Sequence, residues 1–170
     1  PYEWTQNPQP PYVPKTYNPV GSYFREFKLP EDWNEKNIFV HFGAVKSAFY
    51  LFVNGQKVGY SQGSKLPAEF DITQYIKPGK NTLAAEVYRW SDGSYLECQD
   101  FWRISGIERD VFLMARSPIL MRDFEIRTSM NDDFSEGYVD LSIDLENRSE
   151  SFFKESLVIV RIFRNGEQIR

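Results

Sequence analysis

The sequence holds a single cysteine, Cys98, and a single histidine, His41, in 170 residues. No intrachain disulfide can form, and no zinc-finger-like cluster of thiolate and imidazole ligands can assemble. An excess of charge of one sign is also missing: 20 basic residues are intermixed with 24 acidic ones, for a net charge of −4. Without a basic stripe to neutralise phosphates, nucleic acid is not an expected partner. No apolar run approaches the roughly 20 residues of a membrane helix, and no signal-peptide pattern opens the chain, so no membrane partner is expected. Pro1 is not an initiator methionine, which leaves the compartment undetermined. Helical periodicity is the last absence, since almost no stretch repeats apolar residues every three or four positions.

What is present is apolar and aromatic residues in plenty, 41% and 16% of the chain, enough to bury a core and too many for disorder. Residues 1–19 are rich in proline, and Pro8, Pro10, Pro11, Pro14 and Pro19 exclude helix and central strand, which predicts an extended arm. From Gly21 the run GSYFREFKLP alternates like a strand, EDWNEKN reads as a turn, and IFVHFGAV fits a buried strand. SAFYLFVNGQKVGY is two β-rich runs about Asn54-Gly55, a dipeptide that tolerates the positive φ of a hairpin turn. SQGSKLPAEF reads as a loop, Asp71 as the cap of one helical turn ended by Pro78 and Gly79, and NTLAAEVYRW and RDVFLMA as further strands. Many short strands divided by turns predict an all-β sandwich or barrel.

Beyond Pro118 the pattern changes. ILMRDFEIRTSM, YVDLSIDLEN and SLVIVRIFRNGEQI alternate as three strands, and Asn165-Gly166 would turn the third into a fourth that the sequence lacks. Three strands cannot close a sandwich, so residues 118–170 are expected to be the first strands of a truncated second domain with an open edge.

Between two of the strand-like runs lies residues 89–111, RWSDGSYLECQDFWRISGIERDV. It gathers Trp90 and Trp102, the acids Asp92, Glu97, Asp100, Glu108 and Asp110, and Arg89, Arg103 and Arg109. A connection this long in a compact β domain is functional or disordered, and its aromatic content argues for order. Rings beside fixed carboxylates suit a polyol, whose CH groups lie on a ring while acids accept hydrogen bonds from its hydroxyls. A carbohydrate site is therefore the first reading.

The same residues carry a family resemblance. RWSDGSYLE and QDFWRISGIERDV, with PPYVP at residues 10–14, NPVGSY at 18–23 and NGQKVGYSQGSKLPAEFDIT at 54–73, resemble in order the N-terminal sugar-binding domain of bacterial glycoside hydrolase family 2 β-galactosidases. The resemblance implies a galactose-binding-like jelly-roll β-sandwich over residues 20–117, followed by the start of an immunoglobulin-like β-sandwich over 118–170. It implies a parent that hydrolyses terminal β-D-galactosyl linkages with retention, in the cytoplasm or periplasm of a bacterium, as a homo-oligomer. It places both catalytic glutamates in a TIM barrel whose motifs have no match here, so the 170 residues alone are expected to be inactive. A β-glucuronidase or β-mannosidase parent is the alternative within the family, and a stand-alone carbohydrate-binding module the alternative outside it.

Asp100 is the main candidate. The resemblance implies that it contacts galactose hydroxyls and ligates a sodium ion, both suited to an acceptor-only carboxylate. Its competing reading is an ion pair with Arg103 or Arg109. Gln62 and Asp92 stand where the family places ligands of a structural magnesium, and two protein groups alone would hold that ion weakly; no metal is expected in these 170 residues by themselves. Glu97 and Asp100 could in principle form the close carboxyl pair of a retaining glycosidase, but nothing in the sequence separates them from surface acids. Trp90, Trp102, Arg103, Arg109 and Asp110 read as structural, and His41 as a satisfied core histidine. Cys98 replaces the acid expected at its position, with no base nearby to activate it.

Overall fold

The computed structural model describes residues 11–13, 17–97, 102, 104–149 and 157–169. It is divided into two compact units, Pro1–Leu120 and Met121–Arg170.

In the first unit the antiparallel strands β1 (Val20–Lys28), β4 (Ala48–Val53), β5 (Gln56–Gln62) and β7 (Lys80–Tyr88) form one sheet in the order β1-β7-β4-β5. Strands β2 (Asn37–Phe42), β6 (Ala68–Asp71) and β9 (Val111–Arg116) form a second, ordered β6-β2-β9, and β3 (Val45–Lys46) pairs with β8 (Gly106–Ile107). The regular helical pieces among the described residues are short 3-10 turns at Glu31–Trp33, Thr73–Tyr75 and Asp92–Tyr95. The two sheets pack as a β-sandwich, as the alternating runs predict.

Period-two alternation decides which faces meet. Ile38, Val40 and Phe42 of β2 are buried with Phe49, Leu51 and Val53 of β4 and Ala85 and Val87 of β7. Phe49 ties the sheets together, its ring 4.7 Å from Phe42 and 5.7 Å from Phe70 of β6 in an edge-on contact. Full burial of each such side chain is worth about 1.5–3 kcal/mol.

The hairpin at Asn54-Gly55 forms as its sequence requires, with φ of 51° and 80° at the two residues. Asn54 does more than turn the chain. Its Nδ2 donates to the Tyr75 carbonyl and to Asn81 Oδ1, both at 2.8 Å, while its Oδ1 accepts from the Thr82 N–H at 3.0 Å. Asn81, 0% exposed, in turn accepts from the Lys77 N–H and donates to the Lys77 and Gly79 carbonyls, which closes the turn before β7.

Two expectations change. The stretch after the hairpin is not all loop: β5 runs on to Gln62, and Ala68–Asp71 pairs with β2 as β6. The helical turn expected after Asp71 does form, as a 3-10 turn, and Asp71 Oδ1 supports it by accepting from the Thr73 N–H at 3.0 Å and hydroxyl at 2.6 Å. In the second unit β10 (Ile119–Met130) and β11 (Gly137–Asn147) pair, whereas the third alternating run gives no long strand among its described residues. Only β12 (Phe163–Arg164) and β13 (Glu167–Gln168) pair there, about Asn165-Gly166, and Leu157 is 85% exposed. Alternation sets which face a strand would bury, but hydrogen bonds to a neighbouring strand make it a strand.

Leu51→Ala, at a fully buried position, is expected to destabilise the first unit by about 2–5 kcal/mol. Asn81→Ala is expected to cost about 1–3 kcal/mol by leaving its buried partners unsatisfied. Urea unfolding monitored by tryptophan fluorescence checks both, and an exposed control such as Gln74→Ala is expected to change little.

Candidate functional site

Strand register brings the ends of β5 and β7 to one end of the sandwich. Ala48, first residue of β4, lies opposite Gln62 on one side and Tyr88 on the other. Gln62 therefore ends its strand beside the point where β7 leads into Trp90 and the 3-10 turn at Asp92–Tyr95. Tyr60 links the two. Its hydroxyl donates to Gln62 Oε1, and its pKa is raised above the ordinary tyrosine value by burial first, then by the negative charge of Asp92, with Tyr50 and Glu97 adding to it. Gln62 and Tyr60 thus form a hydrogen-bonded pair on the rim that feels the charge of Asp92.

The loops around this rim are tightly fastened. Gly63, at φ +122°, turns the chain off β5, and Leu66 N–H closes a turn onto the Gly63 carbonyl at 2.8 Å. Ser64 is buried, with its N–H donating to Glu97 Oε1 at 3.2 Å and its hydroxyl to Glu97 Oε2. Both carboxylate oxygens of Glu97 are therefore engaged in holding the loop, which leaves this acid poorly placed for catalysis. Lys65 pairs with Glu108, whose own N–H is anchored on the Ala44 carbonyl at 3.0 Å. The turn at Asp92–Tyr95 is closed by Ser91 N–H on Ser94 Oγ and Ser94 N–H on the Ser91 carbonyl, both at 3.0 Å.

Described parts of the N-terminal arm are tied to the same stretch. Asn18 makes a two-point contact with the Trp90 backbone, donating to its carbonyl at 2.9 Å and accepting from its N–H at 3.0 Å. Tyr95 donates to the Tyr12 carbonyl at 2.8 Å. The Trp90 ring is buried with the Arg89 guanidinium 5.1 Å from its centroid, as the structural reading requires. Trp102 departs from that reading. It is 79% exposed, so its ring faces solvent instead of anchoring the loop.

Beside these loops lies a cleft of about 340 Å³, lined by Lys46, Ser64, Lys65, Leu66, Leu96 and Glu97 together with Gly63. Leu66 and Leu96 are exposed on its rim while the Lys46 side chain is buried. Chemically this is a wall of apolar edges interspersed with charged and hydroxyl groups, open to a polar ligand. Alternation could have disclosed one of these residues: Lys46 follows Val45 in an apolar run, where a lone lysine is unusual.

Asp100, Cys98 and Arg103 lie outside the described residues, so the ion-pair and ligand readings of Asp100 have no geometry here. Arg109 and Asp110 are exposed, and the Asp110 carbonyl accepts from the Gly43 N–H at 3.0 Å. His41 is partnered, as predicted, but on an outer sheet face and not in the core, stacked on Phe112 at 4.6 Å with Nδ1 3.1 Å from Glu69 Oε1. Gln62 and Asp92 offer one amide and one carboxylate oxygen, the donor chemistry of a hard cation, but the Gln62 oxygen already accepts from Tyr60. Among the described residues no group of three or more His, Cys, Asp or Glu gathers to hold a metal. No helix among them is long and apolar enough to cross a membrane.

Removing the Asp92 charge is expected to lower the pKa of Tyr60 toward the ordinary tyrosine value without abolishing its rise, because burial is the larger cause. NMR titration of ring-labelled tyrosine in Asp92→Asn, with Tyr60→Phe to assign the signal, reads this directly. An unchanged Tyr60 titration would separate the two groups.

Comparison with known proteins agrees with the resemblance read from the motifs. Residues 4–117 match the sugar binding domain of glycosyl hydrolases family 2. The chain is 47% identical over 151 residues to a β-galactosidase of Priestia megaterium, covering 88% of this chain and 15% of that protein. It is 44% identical over 151 residues to one from Clostridium acetobutylicum, covering 89% and 17%. A third, from Pectobacterium atrosepticum, is 47% identical over 161 residues, covering 94% and 15%. The chain thus spans about a sixth of the length of these curated relatives. Among solved structures, a β-glucuronidase from an uncultured Clostridium sp. superposes with a TM-score of 0.66 at 27% identity, over 74% of this chain and 24% of that one. The Ruminococcus gnavus β-glucuronidase, at 23% identity and a TM-score of 0.68 over 76% of this chain and 24% of that one, shares the fold. By its sequence match and its β-sandwich, the chain belongs to the sugar-binding domain family of the glycosyl hydrolases of family 2.

Proposed function

We propose that this chain is the non-catalytic N-terminal part of a retaining β-galactosidase, and that it supplies one wall of the active site while the acid/base and nucleophile come from a barrel domain beyond it. The observation that carries this reading is identity of 44–47% to three β-galactosidases over 88–94% of the chain. The β-glucuronidase alternative rests on a likeness at 27% identity.

Retaining hydrolysis needs two carboxyl groups roughly 5–5.5 Å apart. Of the acids of this stretch Glu97 lines the cleft, and Ser64 holds both of its oxygens. That commitment supports a supporting role for the domain. In this reading Asp100 accepts hydrogen bonds from galactose hydroxyls and ligates sodium, following three residues after Glu97 in a stretch whose start is fixed by Ser64 and by the arm at Tyr12 and Asn18. Gln62 and Asp92 contribute two oxygens to a magnesium shell that other groups complete. The partners are then a terminal β-galactoside and the remaining domains of the enzyme, in a homo-oligomer.

The test is NMR titration of galactose and lactose into the 170-residue chain, with and without sodium, alongside a chromogenic β-galactoside assay. The proposal expects no turnover and no saturable shifts at Asp100 and Trp102 at high millimolar sugar, with Asp100→Asn in the complete enzyme raising KM and blunting its sodium response at unchanged Tm. Saturable, galactose-selective shifts in the isolated chain would favour the carbohydrate-binding module. An equal loss of thermal stability in Asp100→Asn would favour an internal ion pair.

A further inference from the structure

The two end strands of the four-stranded sheet are unlike one another. On β5 the pairing with β4 is broken by a register shift at Leu51/Phe52. Such an irregularity is one way in which natural sheets blunt an edge. β1 has none. It pairs with β7 through nine unbroken partners, from Val20 opposite Tyr88 to Lys28 opposite Lys80, and among the described residues no strand pairs with its other edge. Half of the backbone N–H and C=O groups of an antiparallel end strand point outward. This strand also presents Phe24 at 67% exposure, with Tyr23 and Val20 exposed beside it.

We propose that β1 is a homotypic pairing edge, joining two copies of this chain through antiparallel β1 strands about a two-fold axis at Phe24. Symmetry and pleat together restrict the register. Residues directly opposite one another share a face, so the axis must pass through a residue and not between two. Centred on Arg25, the pairing would set two guanidinium groups against each other. Centred on Tyr23, it would leave Phe27 and Lys28 without partners. Centred on Phe24, it uses the whole strand and sets Phe24 against Phe24, Tyr23 against Arg25, Ser22 against Glu26, Gly21 against Phe27 and Val20 against Lys28 of the second copy. These are an aromatic pair, a cation over a ring and a hydroxyl donor to a carboxylate, the pairs that stabilise a sheet. About eight to ten new main-chain hydrogen bonds would form, and the two sheets would become one of eight strands.

Arg25 is the residue on which the proposal turns. On the core-side face opposite Leu83, an exposed charge can serve as a guard that keeps other strands off the edge. In the Phe24-centred register it is instead a contact. The two roles predict opposite effects of its removal, since loss of a guard strengthens association and loss of a contact weakens it.

The experiment is sedimentation velocity on the 170-residue chain from low micromolar to high micromolar concentration, with hydrogen exchange at both limits. The expected result is a rise from 20.0 kDa toward twice that mass, with slowed exchange confined to Val20–Lys28. Phe24→Glu, which sets like charges on the axis, is expected to weaken dimerisation at least tenfold at unchanged Tm, as is Arg25→Thr to a smaller degree, while Lys57→Glu on β5 leaves it unchanged. A mass that stays at 20.0 kDa throughout, dimers whose protection falls on the strands of the second unit, or tighter association of Arg25→Thr would each overturn the proposal.

Discussion

The candidate site depends on the antiparallel register of β4 with the strands on either side of it. Ala48 faces both Gln62 and Tyr88, and that double pairing carries the ends of β5 and β7 to one rim. A slip of one residue in either pairing would reverse every side chain on the displaced strand, exposing Phe49, Leu51 and Val53 and moving Gln62 out of line with Ala48 and Tyr88. Burial of those three residues therefore fixes the geometry of the rim as well as the stability of the core. The chemistry of the rim is positioned by hydrophobic alternation some distance from it.

Polar residues then lock what the register has positioned. Asn54 and Asn81 satisfy the turns at the far end of the sheet, and Ser64, Glu97 and Glu108 satisfy the loops at the near end. The short loops that leave β5 and β7 must end their backbone groups on something, since a buried N–H or carbonyl without a partner costs about 1–3 kcal/mol. A carboxylate whose oxygens are held in this way is less available to take up a proton in a reaction. This gives a physical reason to separate the acids of residues 89–111 by task, with Glu97 and Glu108 holding the loop while Asp92 presents its charge to Tyr60.

The sequence disclosed those parts of the fold that depend on local chemistry. Asn54-Gly55 had to turn because both residues adopt positive φ, and the alternation through β2 and β4 marked the buried face. Elements that depend on distant partners were hidden. β6 is only four residues long and follows Gly, Ser, Lys and Pro, so nothing local marks AEFD as a strand until β2 lies beside it. The run at 157–162 shows the converse, a strand pattern without a paired neighbour among the described residues. Asn81 looked like any polar residue at the start of a strand, yet it is fully buried because the turn at 77–79 needs its amide. At the site, the resemblance singled out Gln62 and Asp92, but that Gln62 ends its strand opposite Ala48, with Tyr88 on the other side, follows from pairing across β4, which no local pattern encodes.

A domain that supplies one wall of a site must hold that wall still when no ligand is bound, since any freedom left in it is lost on binding. Fixing a residue of backbone costs about 1–2 kcal/mol, so a long connection such as 89–111 cannot be ordered by its own contacts alone. Here its two ends are held from outside. Asn18 and Tyr12 of the arm grip the entry at Trp90 and Tyr95, and Lys65 and Ala44 hold the exit at Glu108. Between those anchors the exposed faces of Leu96 and Trp102 have little to bury against within the described residues. An apolar rim beside these anchors, with Leu96 and Trp102 exposed, is the kind of surface that the proposed reading needs for contact with a further domain.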